Sequence, residues 1–336
     1  MPKVTLKDVA KRAGVSYQTV SKVLNQKGSV ANETEERIWE AVHDLGYRPN
    51  ISARNLRTQS SNLIGYGWQQ TADTTPHPIL NHFLYSTVYM FEKAGYHLLT
   101  FLVENKTDTS IYQKLFSQGQ VEGFVLADTN HDDPRIAYFI ENNIPFASFG
   151  QANDDWDFCW VDVDGEAGMK DVVRHLTSRG HQRIGLIAWP EGSRAGTDRE
   201  RGYCQGLEEA GIGRQDNWIF RGNNELSTGI AAVQHFLSLP PAQRPTAVSC
   251  VSDQIAIGAI NECAAQNLKV GRDIAIAGYD DSPMAPFLHP PLTTVRQPIQ
   301  QVGEQIVELL LKQIDGEAIN QKNILLRPEL IVRDSG

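Results

Sequence analysis

At 336 residues the chain is too long for one ordinary hydrophobic core, so two or three domains are expected. The formal net charge of −9 argues against nucleic-acid binding by the whole surface, yet residues 1–60 hold 10 Lys and Arg against 6 Asp and Glu while the remainder holds 21 against 34, so one end alone attracts phosphates. No apolar run approaches the ~20 residues of a membrane span, the start MPKVTLKDVAKRAG lacks a secretory core, and Cys159, Cys204, Cys250 and Cys263 are scattered; a reduced, cytoplasmic chain without cofactor or metal is expected.

The basic end opens with TLKDVAKRAGVSYQTVSKVLN, Thr5 to Asn25. Leu6, Val9 and Ala10 make one helical face, Ala13-Gly14-Val15 a tight corner, and a second helix after Ser16 turns Val20, Val23 and Leu24 inward. Gly14 can adopt the positive φ that such a corner needs. This is a helix-turn-helix, whose second helix lies in the DNA major groove and presents Tyr17, Gln18 and Thr19, with Ser21 and Lys22 beside them. A third helix follows: Asn32-x-x-Glu35 reads as a capping box, Ile38, Trp39, Val42 and Leu45 as its apolar stripe, and Gly46 as its C-cap. Pro49-Asn50 then stops one helix and offers a cap to another, but Ile51 to Arg57 spans barely two turns and should fold only against a partner.

From Asn62 onward, β-rich apolar runs alternate with helix-length segments. NLIGYGW, YHLLTFLV, EGFVLAD and PFASFG are strand candidates in one half; RIGLIAW, WIFRG, TAVSCVS and DIAIAGYD repeat the rhythm in the next. The alternation predicts an α/β body of two lobes with parallel sheets and a ligand cleft at the strand carboxyl ends. GxGxxG, Walker and GxSxG motifs are all missing: Gly192-Ser193 continues Arg194-Ala195-Gly196. His175 and His181 have no metal-ligand spacing and read as structural, so an enzyme is disfavoured, and an exported solute-binding protein conflicts with the basic head. Asp280 ends a strand and Arg199 lies in DRERGY. A carboxylate and a guanidinium together suit a polyol, whose hydroxyls both donate and accept, and Trp68, Trp160 and Trp189 at strand ends suit the apolar face of a sugar ring.

TLKDVAKRAGVSYQTVSKVLN and PNISARNLRTQSSNLIG, followed by GHQRIGLIAWPEG, RERGYCQGL, SDQIAIGA, GYDDS and PPLTTVRQP, resemble the lac repressor family of bacterial transcription regulators over essentially the whole chain. The resemblance implies a DNA-binding head at residues 1–48, a hinge helix and linker at 49–61, and an effector-binding and dimerisation body at 62–336 of periplasmic-binding-protein type. Lobe 1 would span about 62–160 and 293–323, and lobe 2 about 161–292 and 324–336. With the residue reading it assigns Thr5, Ser16, Tyr17, Gln18, Thr19, Ser21, Lys22, Asn25, Asn50, Ala53, Arg54, Leu56 and Arg57 to DNA, Leu56 as a minor-groove wedge. Trp68, Gln69, Asp128, Gly150, Trp160, Trp189, Arg199, Asn224, Ser252, Asp253, Asp280 and Gln297 go to the effector. The implied protein is a homodimeric repressor on double-stranded operator DNA, released by a small carbohydrate effector; a corepressor-dependent regulator answering to a purine or a phosphoprotein is the alternative. Gly150, Ser252 and Asn224 depart from residues common in the family, and the small Gly150 and Ser252 suggest a pocket enlarged for a glycoside.

Overall fold

Thr5 starts the first helix, α1 (Leu6–Ala13): its backbone N–H and hydroxyl donate to the Asp8 carboxylate at 2.8 and 2.7 Å. Gly14 ends it at φ +66, and Val15 N–H closes the turn on the Ala10 carbonyl. Ser16 caps α2 (Tyr17–Leu24), its Oγ accepting from Thr19 N–H at 3.1 Å, and α3 (Asn32–Leu45) ends at Gly46 with φ +59. Val9, Ala10, Ala13, Val20, Val23, Ile38 and Ala41 form the small core, and Arg12 pairs with Asp44 at 2.7 Å to tie α1 to α3. Two expectations fail here. Ala31 is the cap of α3 and Asn32 already lies inside the helix, so the Asn32–Glu35 box does not form. Trp39 faces outward, 47% exposed, with its indole N–H toward Glu35 at 3.5 Å, because Ile38 and Ala41 already fill the inward stripe.

This computed structural model describes residues 4–24, 30–47, 60–69, 78–105 and 107–336, and it divides into two units, Met1–Ser61 and Asn62–Gly336. Asn25 and the hinge residues Asn50, Ala53, Arg54, Leu56 and Arg57 lie outside the described residues.

In the second unit the chain runs β1 (Leu63–Gln69), α4 (Pro78–Lys93), β2 (His97–Val103), α5 (Ser110–Ser117), β3 (Gly123–Leu126), α6 (Pro134–Glu141), β4 (Phe146–Phe149) and β5 (Cys159–Val163). It continues through α7 (Gly165–Ser178), β6 (Ile184–Ala188), α8 (Arg194–Glu209), β7 (Ile219–Arg221), α9 (Leu226–Ser238), β8 (Ala247–Cys250), α10 (Asp253–Ala265) and β9 (Ala275–Ala277). The last elements are β10 (Thr294–Arg296), α11 (Ile299–Ile314), β11 (Asn323–Leu326) and β12 (Glu329–Ile331).

Among the described residues the first lobe holds a parallel sheet in the order β11-β5-β4-β3-β1-β2 and the second a parallel sheet in the order β7-β6-β8-β9. β3, β6 and β8 are buried on both faces, which is why GFVL, IGLIA and AVSC read as unbroken apolar runs and not as alternating ones. All eight strand candidates are strands. The first sheet also takes in Val161–Val163 and Ile324–Leu326, so the chain leaves it three residues beyond the expected lobe bounds, at Asp164 and at Arg327. Asp164 caps α7 at the first of these crossings, its backbone N–H bonded to the Leu326 carbonyl at 2.8 Å. α9 and α10 pack backbone to backbone: a Cβ on Gly229 or Gly258 would meet a carbonyl oxygen at 2.1 or 2.0 Å, a distance no side chain tolerates.

Candidate functional site

On α2, burial of Val20 and Val23 leaves Tyr17, Gln18 and Lys22 exposed and Thr19 and Ser21 half-buried on the opposite face. Tyr17 is 46% exposed, a large aromatic face left open at the start of the helix. The Ser16 and Thr19 hydroxyls are 2.8 Å apart and cap the helix, so their first role is to fix its start. Thr5 is likewise engaged by Asp8.

In the body, a cavity of about 130 Å³ opens between the lobes at the strand carboxyl ends. Asp128, beyond β3, and Gly150, beyond β4, line it from the first lobe; Trp189, beyond β6, Arg199 of α8 and Asp280, beyond β9, line it from the second, and Gln297 from the crossing. The Arg199 guanidinium lies over the Tyr279 ring at 3.8 Å and the Trp189 ring at 4.9 Å. One of its nitrogens donates to the Val251 carbonyl and stands 3.9 Å from Asp280, whose carboxylate also accepts from Gln297 Nε2 at 2.8 Å. Arg199 Nε and Trp189 Nε1 are buried without a hydrogen-bond partner. Asp128 holds φ +53 and Asp280 φ +124, conformations a non-glycine residue seldom adopts and which concentrate at functional sites.

Burial pushes Asp280 up to about 7 against the pull of Arg199, and Asp162, at the cavity wall, up to about 6 despite N–H donors from Val163 and Gln151. Asp162, Asp198, Arg194, Gln151, Asn130 and Thr129 also line the cavity and were missed from sequence. Asp162 was detectable as the acidic interruption of CWVDV. Arg194 sat unread inside the Gly192–Gly196 stretch, weighed only for its lack of a nucleophile motif.

Other expected residues are placed elsewhere. Trp160 packs in the first lobe's core, and Trp68 packs edge-on against Tyr66 at 5.1 Å; neither lines the cavity as described, so the three-tryptophan argument rests on Trp189 alone. Gln69 ends β1 and is not among the lining residues. Ser252 is a buried cap of α10 bonded to Asn224, and Asp253 accepts from Ser282 N–H at 2.6 Å and from the Thr294 hydroxyl, knitting α10 to the crossing strand. Asn224 lines an adjoining polar recess with Trp189 and Ser193, outside the main cavity. Gly150 is present for its backbone: φ is +108 and a Cβ would lie 2.5 Å from Thr129 Oγ1, so it is no sign of a pocket enlarged for a glycoside.

Residues 5–50 match the model for bacterial regulatory proteins of the lacI family, and 173–336 that for a periplasmic binding protein-like domain. The HTH-type transcriptional repressor PurR of Erwinia tasmaniensis is 33% identical over 335 residues, covering 98% of this chain and 96% of that protein. The structure of the lac repressor dimer bound to operator and the anti-inducer ONPF superposes with a TM-score of 0.86 at 30% identity, over 99% of each chain. A transcriptional regulator CelR–cellobiose complex gives 0.76 at 27% identity, covering 99% of this chain and all of that one. A helix-turn-helix and a two-lobed parallel α/β body define a DNA-binding transcription regulator. The chain belongs to the lacI family of bacterial regulatory proteins.

Proposed function

We propose that the chain acts in the cytoplasm as a homodimeric repressor of a pseudo-palindromic operator, and that a small carbohydrate in the inter-lobe cavity releases it. The observation that carries the effector reading is the Arg199–Asp280 pair at the cavity, with the guanidinium over the Trp189 and Tyr279 rings. A hydroxyl accepts from the guanidinium and donates to the carboxylate, which is polyol chemistry. No residue is assigned a catalytic role. The loss of the glycoside argument at Gly150 leaves the size of the sugar open to titration. Kinship with PurR favours a purine as the second reading.

Dimerisation fits the two-fold symmetry of operators. Light scattering at micromolar concentration is expected to give twice the chain mass. The effector test is thermal unfolding with neutral sugars and with hypoxanthine, since a ligand raises stability by RT ln(1 + [L]/Kd). A stabilising sugar that also lowers operator affinity supports the reading; stabilisation by hypoxanthine alone replaces it with the second.

A further inference from the structure

We infer that the cavity is built for an uncharged polyhydroxylated ring and turns away the phosphate ester of the same sugar. The inference rests on the carbohydrate reading and narrows it to a chemical class. Among the described residues Asp128, Asp162, Asp198 and Asp280 line the cavity against two cations, Arg194 and Arg199. Residues 70–77, between β1 and α4, contribute no Lys or Arg to the sequence.

Arg194 is already committed, and the charge of Arg199 is offset by Asp280. Arg194 begins α8 on the second lobe and reaches across to the first, where one terminal nitrogen donates to the Ala152 carbonyl at 3.2 Å and to Asp154 at 2.8 Å and the other to Gln151 Oε1 at 3.2 Å. Its Nε turns back to Asp198 at 3.3 Å. Arg199 lies over the Tyr279 and Trp189 rings, and its one engaged terminal nitrogen is bonded to the Val251 carbonyl and stands 3.9 Å from Asp280, whose carboxylate offsets its charge toward any anion that approaches. Asp162 draws its donors from Gln151 and from Val163 N–H, all of them neutral groups.

A dianionic phosphate has acceptors and no donor, so beside these carboxylates it finds repulsion that one partly neutralised guanidinium does not offset. A ring hydroxyl accepts from the Arg199 guanidinium and donates to an aspartate, satisfying both sides without adding charge. The site therefore distinguishes a free sugar from its phosphorylated form by charge balance.

The test measures binding by calorimetry and thermal shift with D-glucose, D-galactose and cellobiose, with glucose 6-phosphate and galactose 6-phosphate, and with inorganic phosphate at matched ionic strength. The expected result is that a neutral sugar binds, its ester binds at least 100-fold more weakly, and inorganic phosphate gives no shift. An ester or phosphate ion that binds as well as the neutral sugars overturns the inference. If nothing neutral binds and the anions are equally inert, the carbohydrate reading fails while the exclusion of anions stands. Replacing two charges, Asp162→Asn with Asp198→Asn, should narrow the ester's disadvantage at least tenfold; the single Asp162→Asn change, which keeps the Asp198–Arg194 bond, should narrow it in the same direction if the double variant does not fold. Unchanged discrimination in a folded variant would show that shape excludes the ester and would overturn the electrostatic cause.

Discussion

At the scale of the residue, Arg199 carries more of the site than any other side chain. Its place over the Trp189 and Tyr279 rings, its bond to Val251 and its proximity to Asp280 depend on a planar guanidinium, so Arg199→Lys is not a mild change. Arg199→Ala leaves Asp280 buried with only Gln297 as a donor and without its cation. It should cost the body ~3–5 kcal/mol in denaturant unfolding as well as the effector response. The raised carboxyls also predict a pH dependence. Asp162 titrates near 3.8 when unfolded and about 6 when folded, and Asp280 about 7, so the native state binds more protons in between. Their contribution is full below pH 4 and is lost as pH rises through about 6 and then about 7. Between pH 5 and 8 the melting temperature of the body should therefore fall, and Asp162→Asn should remove a share on the order of 1 kcal/mol, since only the upper part of its titration lies in that window. A melting temperature that climbs over that range would contradict the electrostatic description of the cleft.

The elements were legible in proportion to how strongly their pattern was written. Helix α2 was clear because Gly14 and Ser16 bound a short stretch with one apolar face, and the unbroken runs of β3, β6 and β8 could be nothing but interior parallel strands. β5 and β11 straddle the expected lobe bounds and were not among the strand candidates. CWVDV carries a polar residue that belongs to the cavity, and NILL pairs with β5 at the sheet's margin, with little burial to mark it. Trp39 and Asn32 misled because local pattern cannot say which of several candidates the tertiary core selects. The cleft was half visible: Arg199, Asp280 and Trp189 could be placed from strand and helix ends. Asp198 and Arg194 could not, because their meeting with the first lobe depends on how two lobes close. Two predictions belong at this scale. Gln18→Ala on α2 should cost ~1–3 kcal/mol of operator affinity and relax preference at one or two base pairs, whereas Lys22→Ala should weaken all sequences alike; a binding-site selection separates the two. Gly258→Ala forces a methyl onto the Leu226 carbonyl and should separate α9 from α10, costing about 3 kcal/mol or more in urea unfolding.

For the whole molecule, the account is that a basic reading head and an acidic, two-lobed body answer to one another. Operator binding should weaken steeply with salt, because the phosphate contacts fall to the head and the body adds only repulsion. Sugar binding favours one arrangement of the lobes, and a coupling of ~1–3 kcal/mol suffices to change operator affinity five- to a hundredfold. The segment proposed to carry that coupling is residues 49–61, where Leu56→Ala is expected to weaken operator binding while leaving effector affinity intact. The most direct measurement is an operator titration by fluorescence anisotropy, with and without a saturating neutral sugar, on the parent and on Asp280→Ala. The account predicts that the sugar weakens operator binding by the parent at least tenfold, while Asp280→Ala binds operator as the parent does and ignores the sugar. A parent whose operator affinity is unmoved by a sugar shown to bind, or an Asp280→Ala protein that still responds to it, would contradict the account.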